Sequence, residues 1–234
     1  FFSATRAVAS ALTLGAVIRP LRSLAFTIDY YDIKVRDAIA QVGAQVLIDT
    51  CFSTLEGSSV PCQSIVRDTF SGNINFVRAP LLNVAERRVR GLDVGASYTT
   101  ALPAFFNIGD SSKLDLSANL SWQFANTTVP ITGLPTIDCA GFYGGACSSD
   151  STRISPAFRA FFGADYKSGP VSFRNQIRMV GSLDLLPGAP PSESGTLGKE
   201  TYWDISARVE ITKNIAIFGG INNVLDNQPP VMGF

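Results

Sequence analysis

The side chains able to do chemistry in this 234-residue chain are a restricted set: 4 Cys, 19 Asp+Glu, 19 Lys+Arg, 6 Tyr and no His. Without histidine, Ser-His-Asp and Cys-His catalysis, His-ligated zinc and two-His iron sites are excluded together. The cysteines fall as Cys51 with Cys62 and Cys139 with Cys147, each pair inside one unpatterned stretch. Two local disulfides are the natural reading, each stabilising by roughly 2 to 3 kcal/mol in an oxidising compartment. The alternative is a thiolate metal site, for which neither pair has Cys-x-x-Cys spacing. No carboxylate pair stands in a context for acid–base catalysis. The segment Gly141-Phe142-Tyr143-Gly144-Gly145 lacks the Lys-Ser/Thr ending of a phosphate cradle, but Phe142 and Tyr143 are candidates for stacking on a sugar or an aromatic chelate. Arg87, Arg88 and Arg90 form a basic cluster, suited to an anionic ligand or lipopolysaccharide phosphate, or simply to a solvated face. No catalytic, cofactor-binding or metal-binding residue is expected.

The elements that must position these residues are strands. Charged residues make up 16% of the chain, with 16 Phe, 20 Gly and a net charge of zero, below the roughly 25% charge typical of soluble domains. A mean hydropathy of +0.19 points the same way. A neutral chain has no field to gather nucleic acid. No window reaches the roughly 18 apolar residues of a spanning helix, so a membrane would be crossed by strands. Leu114, Leu116, Ala118, Leu120, Trp122 and Phe124 alternate with Asp115, Ser117, Asn119, Ser121 and Gln123. Trp203, Ile205, Ala207, Val209 and Ile211 likewise oppose Asp204, Ser206, Arg208 and Glu210. Such period-two alternation predicts eight strands near 11–19, 24–35, 87–100, 113–126, 155–167, 171–182, 201–211 and 214–223. Asn175 is a misfit on an apolar side, and a phase slip at Tyr30-Tyr31 suggests a bulge or the exit from an apolar layer. Val8 to Ile18 behind Arg6, with Ser23-Leu24-Ala25 following, has the outline of a signal peptide; its alternation and Pro20 read better as a strand and turn.

Short connections alternate with long ones over 36–86, 127–154 and 183–200, the habit of outer-membrane barrels. A soluble sandwich or lipocalin-like barrel shares the period. Polar faces rich in Ser, Asn and Gln, and aromatics at strand ends, favour lipid on the apolar side. The fold expected is all-β, an antiparallel transmembrane barrel in part. Leu116, Leu120, Ile205 and Val209 would face lipid. Asp93, Asp115, Asn119, Gln123, Arg159, Asp165, Arg174, Gln176, Arg178, Asp204, Arg208 and Glu210 would face the lumen, or merely bridge strands and hydrate the wall. Within 37–50, Ala38, Ile39, Val42, Val46 and Leu47 have helical spacing, giving a short helix that caps the pore or packs its loop.

The run Phe26-Thr27-Ile28-Asp29-Tyr30-Tyr31-Asp32-Ile33-Lys34-Val35, then Cys51 and Cys62, Arg67-Asp68, Gly72, Asn83, Gly91-Leu92-Asp93 and finally Asn222-Asn223-Val224-Leu225-Asp226-Asn227-Gln228-Pro229-Pro230 resembles the C-terminal barrel region of TonB-dependent outer-membrane receptors. The resemblance implies energised uptake of a ferric siderophore, a cobalamin or an oligosaccharide across the bacterial outer membrane, without catalysis or cofactor. It implies as partners the membrane lipid, a plug domain, the remaining strands and the TonB complex. A plugged receptor barrel of 22 strands needs about 200 to 240 residues before any loop, so 1–234 is expected to be a C-terminal portion without plug or final strand, opening on Phe1-Phe2 and stopping at Val231-Met232-Gly233-Phe234. A passive porin, a structural surface barrel and a soluble ligand-binding β domain are the rival readings.

Overall fold

A computed structural model of the chain describes residues 6–54, 59–79, 81–109, 111–131, 134–148, 155–189, 191 and 194–230; the expectations for Phe1-Phe2 and for Val231 to Phe234 lie outside them. Eight long strands follow one another: β1 (Val8–Leu21), β2 (Leu24–Gln41), β3 (Leu81–Ala101), β4 (Ser112–Val129), β5 (Phe158–Ser168), β6 (Val171–Val180), β7 (Glu200–Thr212) and β8 (Ile215–Ile221). Each pairs antiparallel with its sequence neighbour, and the short Ile137–Asp138 segment pairs with the end of β4 to complete a nine-stranded sheet. The sheet is open, with β1 and β8 at its edges.

The register separates two faces. Leu14, Tyr30, Leu92, Trp122 and Phe158 form one cross-strand row, and Leu114, Tyr166, Phe173 and Ala207 another on the same apolar face. Leu114 to Trp122 spans eight residues, roughly 26 Å of strand and about 20 Å of height at a tilt near 40°. Aromatic residues mark both rows, with the Trp122 and Phe158 rings 5.3 Å apart. Among the described residues, no Leu, Ile, Val, Phe or Trp of the eight long strands is buried. A soluble sandwich would bury this face against a second layer, so the apolar side of this sheet is a wall surface. The misfit Asn175 is answered from within the face: Trp203 donates its indole N–H to Asn175 Oδ1 at 2.5 Å.

The backbone runs through Tyr30-Tyr31 with no shift in register, so of the two readings of the phase slip the bulge is corrected and the exit from an apolar layer holds. The side chains change phase because their surroundings change. Asp32, Lys34 and Arg36 continue the face of Leu24, Phe26, Ile28 and Tyr30 beyond the apolar belt, where Lys34 pairs with Glu86 at 2.6 Å and Arg88 Nε donates to Asp32 at 2.7 Å. The register shift lies instead between Arg90/Gly91 of β3 and Gln123/Ala125 of β4, leaving Phe124 unpaired. β2 and β3 also pair as far as Gln41 and Leu81, so what the sequence suggests is loop begins and ends as sheet, with Asp37 in the left-handed region at φ 51°. Ala38 and Ile39 are therefore strand residues, and the loop helix α1 spans Ala44–Thr54 rather than 37–50.

On the polar face, side chains of one strand lie across glycines of the next. Tyr31 crosses Gly91, Thr27 crosses Gly95 and Ser117 crosses Gly163. A Cβ on Gly91 would sit 2.5 Å from the Trp122 carbonyl oxygen as well as against the Tyr31 ring, whereas a Cβ on Gly95 would chiefly meet the Thr27 hydroxyl. Gly91→Ala is expected to cost about 1 to 3 kcal/mol and not to be rescued by Tyr31→Phe, because a backbone atom blocks it. Gly95→Ala should be largely relieved by Thr27→Ala. Thermal unfolding of the four variants followed by circular dichroism checks the contrast.

Candidate functional site

The polar face collects the candidate wall residues. In register, Asp29, Asp93, Ser121 and Arg159 form one row; Asn119, Phe161, Arg178 and Tyr202 another; and Asp115, Asp165 and Arg174 a third. Gln123 is opposite Gly91, Gln176 opposite Asp204, Arg208 opposite Ser172 and Glu210 opposite Ala216, on the same face. All twelve sequence-derived wall residues thus share one side. Four are tied in pairs, Arg174 to Asp165 at 2.6 Å and Arg178 to Asp204 at 3.0 Å, and Asp115 accepts from the Thr99 hydroxyl at 2.5 Å. A concavity of about 580 Å³ is lined by Asp29, Asp93, Asn119, Arg159, Arg178 and Tyr202. These charges stand among apolar lining residues such as Leu120, Phe161 and Met179, a mixture that suits a partner surface with both polar and apolar parts. Sequence reasoning missed Asp29 and Tyr202 here; alternation within each strand places them, but only the cross-strand register shows that they join Asp93 and Arg178.

Beyond the strand ends, two disulfides organise the long loops. Cys51–Cys62, with Cα atoms 4.8 Å apart, clips α1 to the short helix α2 (Val60–Gln63); Cys139–Cys147, at 5.4 Å, closes the loop after β4. Val42 and Leu47 are buried with Val46 and Val77 in one small core, and Tyr143, Leu183 and Leu197 make another. The second core joins two loops, since Phe142-Tyr143 pairs in parallel with Asp184-Leu185. α1 also packs against the Gly145–Ser148 turn, linking the first loop to the second. Tyr143 is 1% exposed and its hydroxyl donates to the Gly195 carbonyl, so its ring is a packing element, while Phe142 beside it is half-buried. Gly144 turns at φ 81° where a Cβ would strike Leu185. The arginine cluster divides: Arg88 and Arg90 share the face of Asp32, and Arg87 takes the other.

A hairpin of Ile65–Arg67 and Ile74–Val77 carries Phe70 fully exposed at its tip. Asp68 fixes the tip by accepting from the Ser71 and Phe70 amides at 2.7 and 3.0 Å and from the Ser71 hydroxyl at 3.0 Å. At the far end of the sheet, the segment after β8 folds back as an amide clasp. Asn223 Nδ2 donates to the Asn227 carbonyl and Asn227 N–H to Asn223 Oδ1, while Asn227 Nδ2 reaches the Thr201 carbonyl. Asn223 and Asp226 adopt φ of 53° and 52°, which Asn and Asp tolerate best among residues with a Cβ. Asp204 accepts the Asn223 amide at 2.8 Å while holding Arg178.

Comparison with known proteins decides the family. The family model for the "TonB dependent receptor-like, beta-barrel" domain matches residues 8–224. The chain belongs to the TonB-dependent receptor β-barrel family. No curated protein matches the sequence. Among solved structures, a ferric enterobactin receptor, PfeA, of Pseudomonas aeruginosa superposes with a TM-score of 0.56 at 13% identity, covering 94% of this chain and 26% of that one. The copper transporter OprC does so at 0.53 and 16%, covering 97% and 27%. These identities establish the shared fold alone, and the chain spans about a quarter of the length of either neighbour.

In this receptor barrel the C-terminal motif by which the family is visible is a structural clasp, and its anchor Asp204 is also a polar-face residue. Asp204→Ala is expected to free the clasp, speeding hydrogen exchange of amides 223–227 by about tenfold or more, the equivalent of one charged hydrogen bond. Asp204→Asn, which keeps an acceptor for the Asn223 amide, should have a smaller effect. A second outcome concerns pH. The Ser71 amide, then the Phe70 amide and Ser71 hydroxyl, hold the Asp68 carboxyl below the usual carboxylate range. A depressed folded value means that the turn's support is complete above the ordinary value of about 3.9 and is lost as pH falls through the folded one. The carboxyl carbon resonance of Asp68 should titrate below that of an exposed aspartate, with Phe70 becoming mobile in the same window.

Proposed function

We propose that this segment is part of the wall of a bacterial outer-membrane transporter that takes up a ferric siderophore, or another bulky nutrient such as a cobalamin or an oligosaccharide, with energy delivered through TonB. The observation that carries the reading is the division of one sheet into a predominantly polar face and, over the middle of the strands, a predominantly apolar face, with its buried residues gathered mainly in the loops. The apolar face, with its aromatic rows, meets lipid. Asp93, Asn119, Arg159, Arg178 and their neighbours line the lumen, where a plug domain from the rest of the receptor docks against them and substrate passes. The disulfide-clipped loops, with Phe142 and Phe70 exposed or half-exposed among them, capture the ligand outside. The siderophore class is supported by a neighbour named as a ferric enterobactin receptor, and a metal cargo by one named as a copper transporter. No covalent chemistry is needed, because capture and release use only contacts that form and break.

The test is uptake by the intact receptor in cells, with labelled ferric chelates, cobalamin and oligosaccharides offered separately. One of these should enter saturably, and only while TonB is functional. The double variant Arg159→Ala with Arg178→Ala should reduce that uptake several-fold at unchanged receptor abundance. Uptake that is unselective and continues without TonB would select a passive pore instead.

A further inference from the structure

We propose that residues 102–109, in the connection between β3 and β4, are a membrane-interface anchor that seats Phe105, Phe106 and Ile108 in the periplasmic leaflet. The inference rests on the reading above that the apolar face meets lipid. Phe105 is 79%, Phe106 48% and Ile108 59% exposed, and residues 102–109, Leu-Pro-Ala-Phe-Phe-Asn-Ile-Gly, carry no charge. The other connections at this end of the sheet contain Arg22-Ser23, Gly169-Pro170 and Lys213-Asn214. Those suit water; three large apolar side chains within four residues do not.

What fixes their position is a set of hydrogen bonds to side chains of the lipid-directed face. Tyr166, in the row of Leu114 and Phe173, donates its hydroxyl to the Phe106 carbonyl. Ser168, two residues further on the same face and 1% exposed, accepts the Ile108 amide at 2.8 Å and donates to the Ser111 carbonyl at 3.0 Å. Ser112, directly opposite Ser168 and 4% exposed, donates to Asn107 Oδ1 at 2.6 Å. Gly109 lies so close to Gly169 that a Cβ on it would be 3.0 Å from the Gly169 Cα, which lets the connection cross the neighbouring turn. The loop is thus held on the outer side of the wall, where its aromatic pair, with centroids 4.1 Å apart, continues the row marked by Tyr166 and Phe173. Amphipathic aromatic belts collect at this depth of a bilayer, and the loop extends the belt by backbone and ring rather than by another strand.

The test places spin labels on the intact receptor in nanodiscs of phosphatidylethanolamine and phosphatidylglycerol. Both cysteine pairs of this segment are bonded and no described cysteine is free, so Phe105→Cys and Ile108→Cys each add one reactive thiol to it. Leu116→Cys reports the belt and Asn214→Cys a watery turn. Oxygen, which concentrates in lipid, should relax the labels at 105 and 108 several-fold more effectively than a water-soluble nickel chelate, as at 116, with the opposite order at 214. Dominance of nickel at 105 and 108 while 116 stays with oxygen would overturn the anchor and leave the membrane reading standing. Dominance of nickel at 116 as well would overturn both. Exclusion of both reagents from 105 and 108 would show that protein covers the loop, and would also overturn the anchor. Should one of the two variants fail to assemble, the other carries the same comparison.

Discussion

Everything in this wall depends on backbone pairing between sequence neighbours in a sheet whose described residues build almost no packed core of their own. In a globular β protein, burial of side chains between layers fixes the register, and hydrogen bonds follow. Here the long strands bury almost nothing apolar of their own, so the ladder itself has to define where each residue points. In hydrocarbon that ladder is obligatory, because an unpaired N–H or C=O costs several kcal/mol with no water to replace the partner. A slip of one residue would exchange the polar and the apolar face along the whole strand. The cost of error is therefore spread along the full strand length, and it specifies the register as firmly as a core would.

Side-chain details on the two faces reinforce that register differently. On the polar side, glycines facing Tyr31, Thr27 and Ser117 admit those side chains flat against the backbone, which narrows the choice of partner at each of these positions. Cross-strand ion pairs such as Arg174 with Asp165 add to it, although they are well exposed and each contributes modestly. On the apolar side a polar atom must be matched locally, as Trp203 matches Asn175. Outside the belt the rule relaxes, and Asp32, Lys34, Glu86 and Arg88 occupy the outward positions as ion pairs. The loops, back in water, return to the globular solution: small apolar cores around Leu47 and Tyr143, stapled by two disulfides.

Much of this was legible in the sequence because period two is a property of single strands. All eight strands, the shared polar face and both disulfides follow from alternation and from cysteine spacing. What was not legible depends on pairs of segments. The change of phase at Tyr30-Tyr31 looks like a bulge in β2, yet the register shift belongs to β3 and β4 near Gly91 and Phe124, because alternation reports the environment of a side chain and not the geometry beneath it. The helical spacing of 37–50 mixed the last strand residues, Ala38 and Ile39, with the true helix from Ala44; apolar residues entering a loop core satisfy both periods over so short a run. Tyr143 reads as an accessible aromatic between glycines, but the parallel pairing of its loop with Asp184-Leu185 makes it the centre of a core. Asp29 joins Asp93 only through a register that no single strand contains.

The same neighbour-to-neighbour ladder also bears on how such a wall forms. At one end, β1 to β2, β5 to β6 and β7 to β8 are joined by two-residue turns, so pairing there closes almost no loop. At the other end, the connections after β2, β4 and β6 are long, and loop closure costs more with length, though only logarithmically. The disulfides and the docking of one loop on the next shorten the effective length of just these connections. Hairpins with tight turns can thus pair first, and the loop layer then joins hairpin to hairpin. What this order cannot supply is a partner for the outer edges of β1 and β8, whose backbone groups face away from the sheet. Their demand is the same one that fixes the register inside it, and pairing with another strand is the way a sheet meets it.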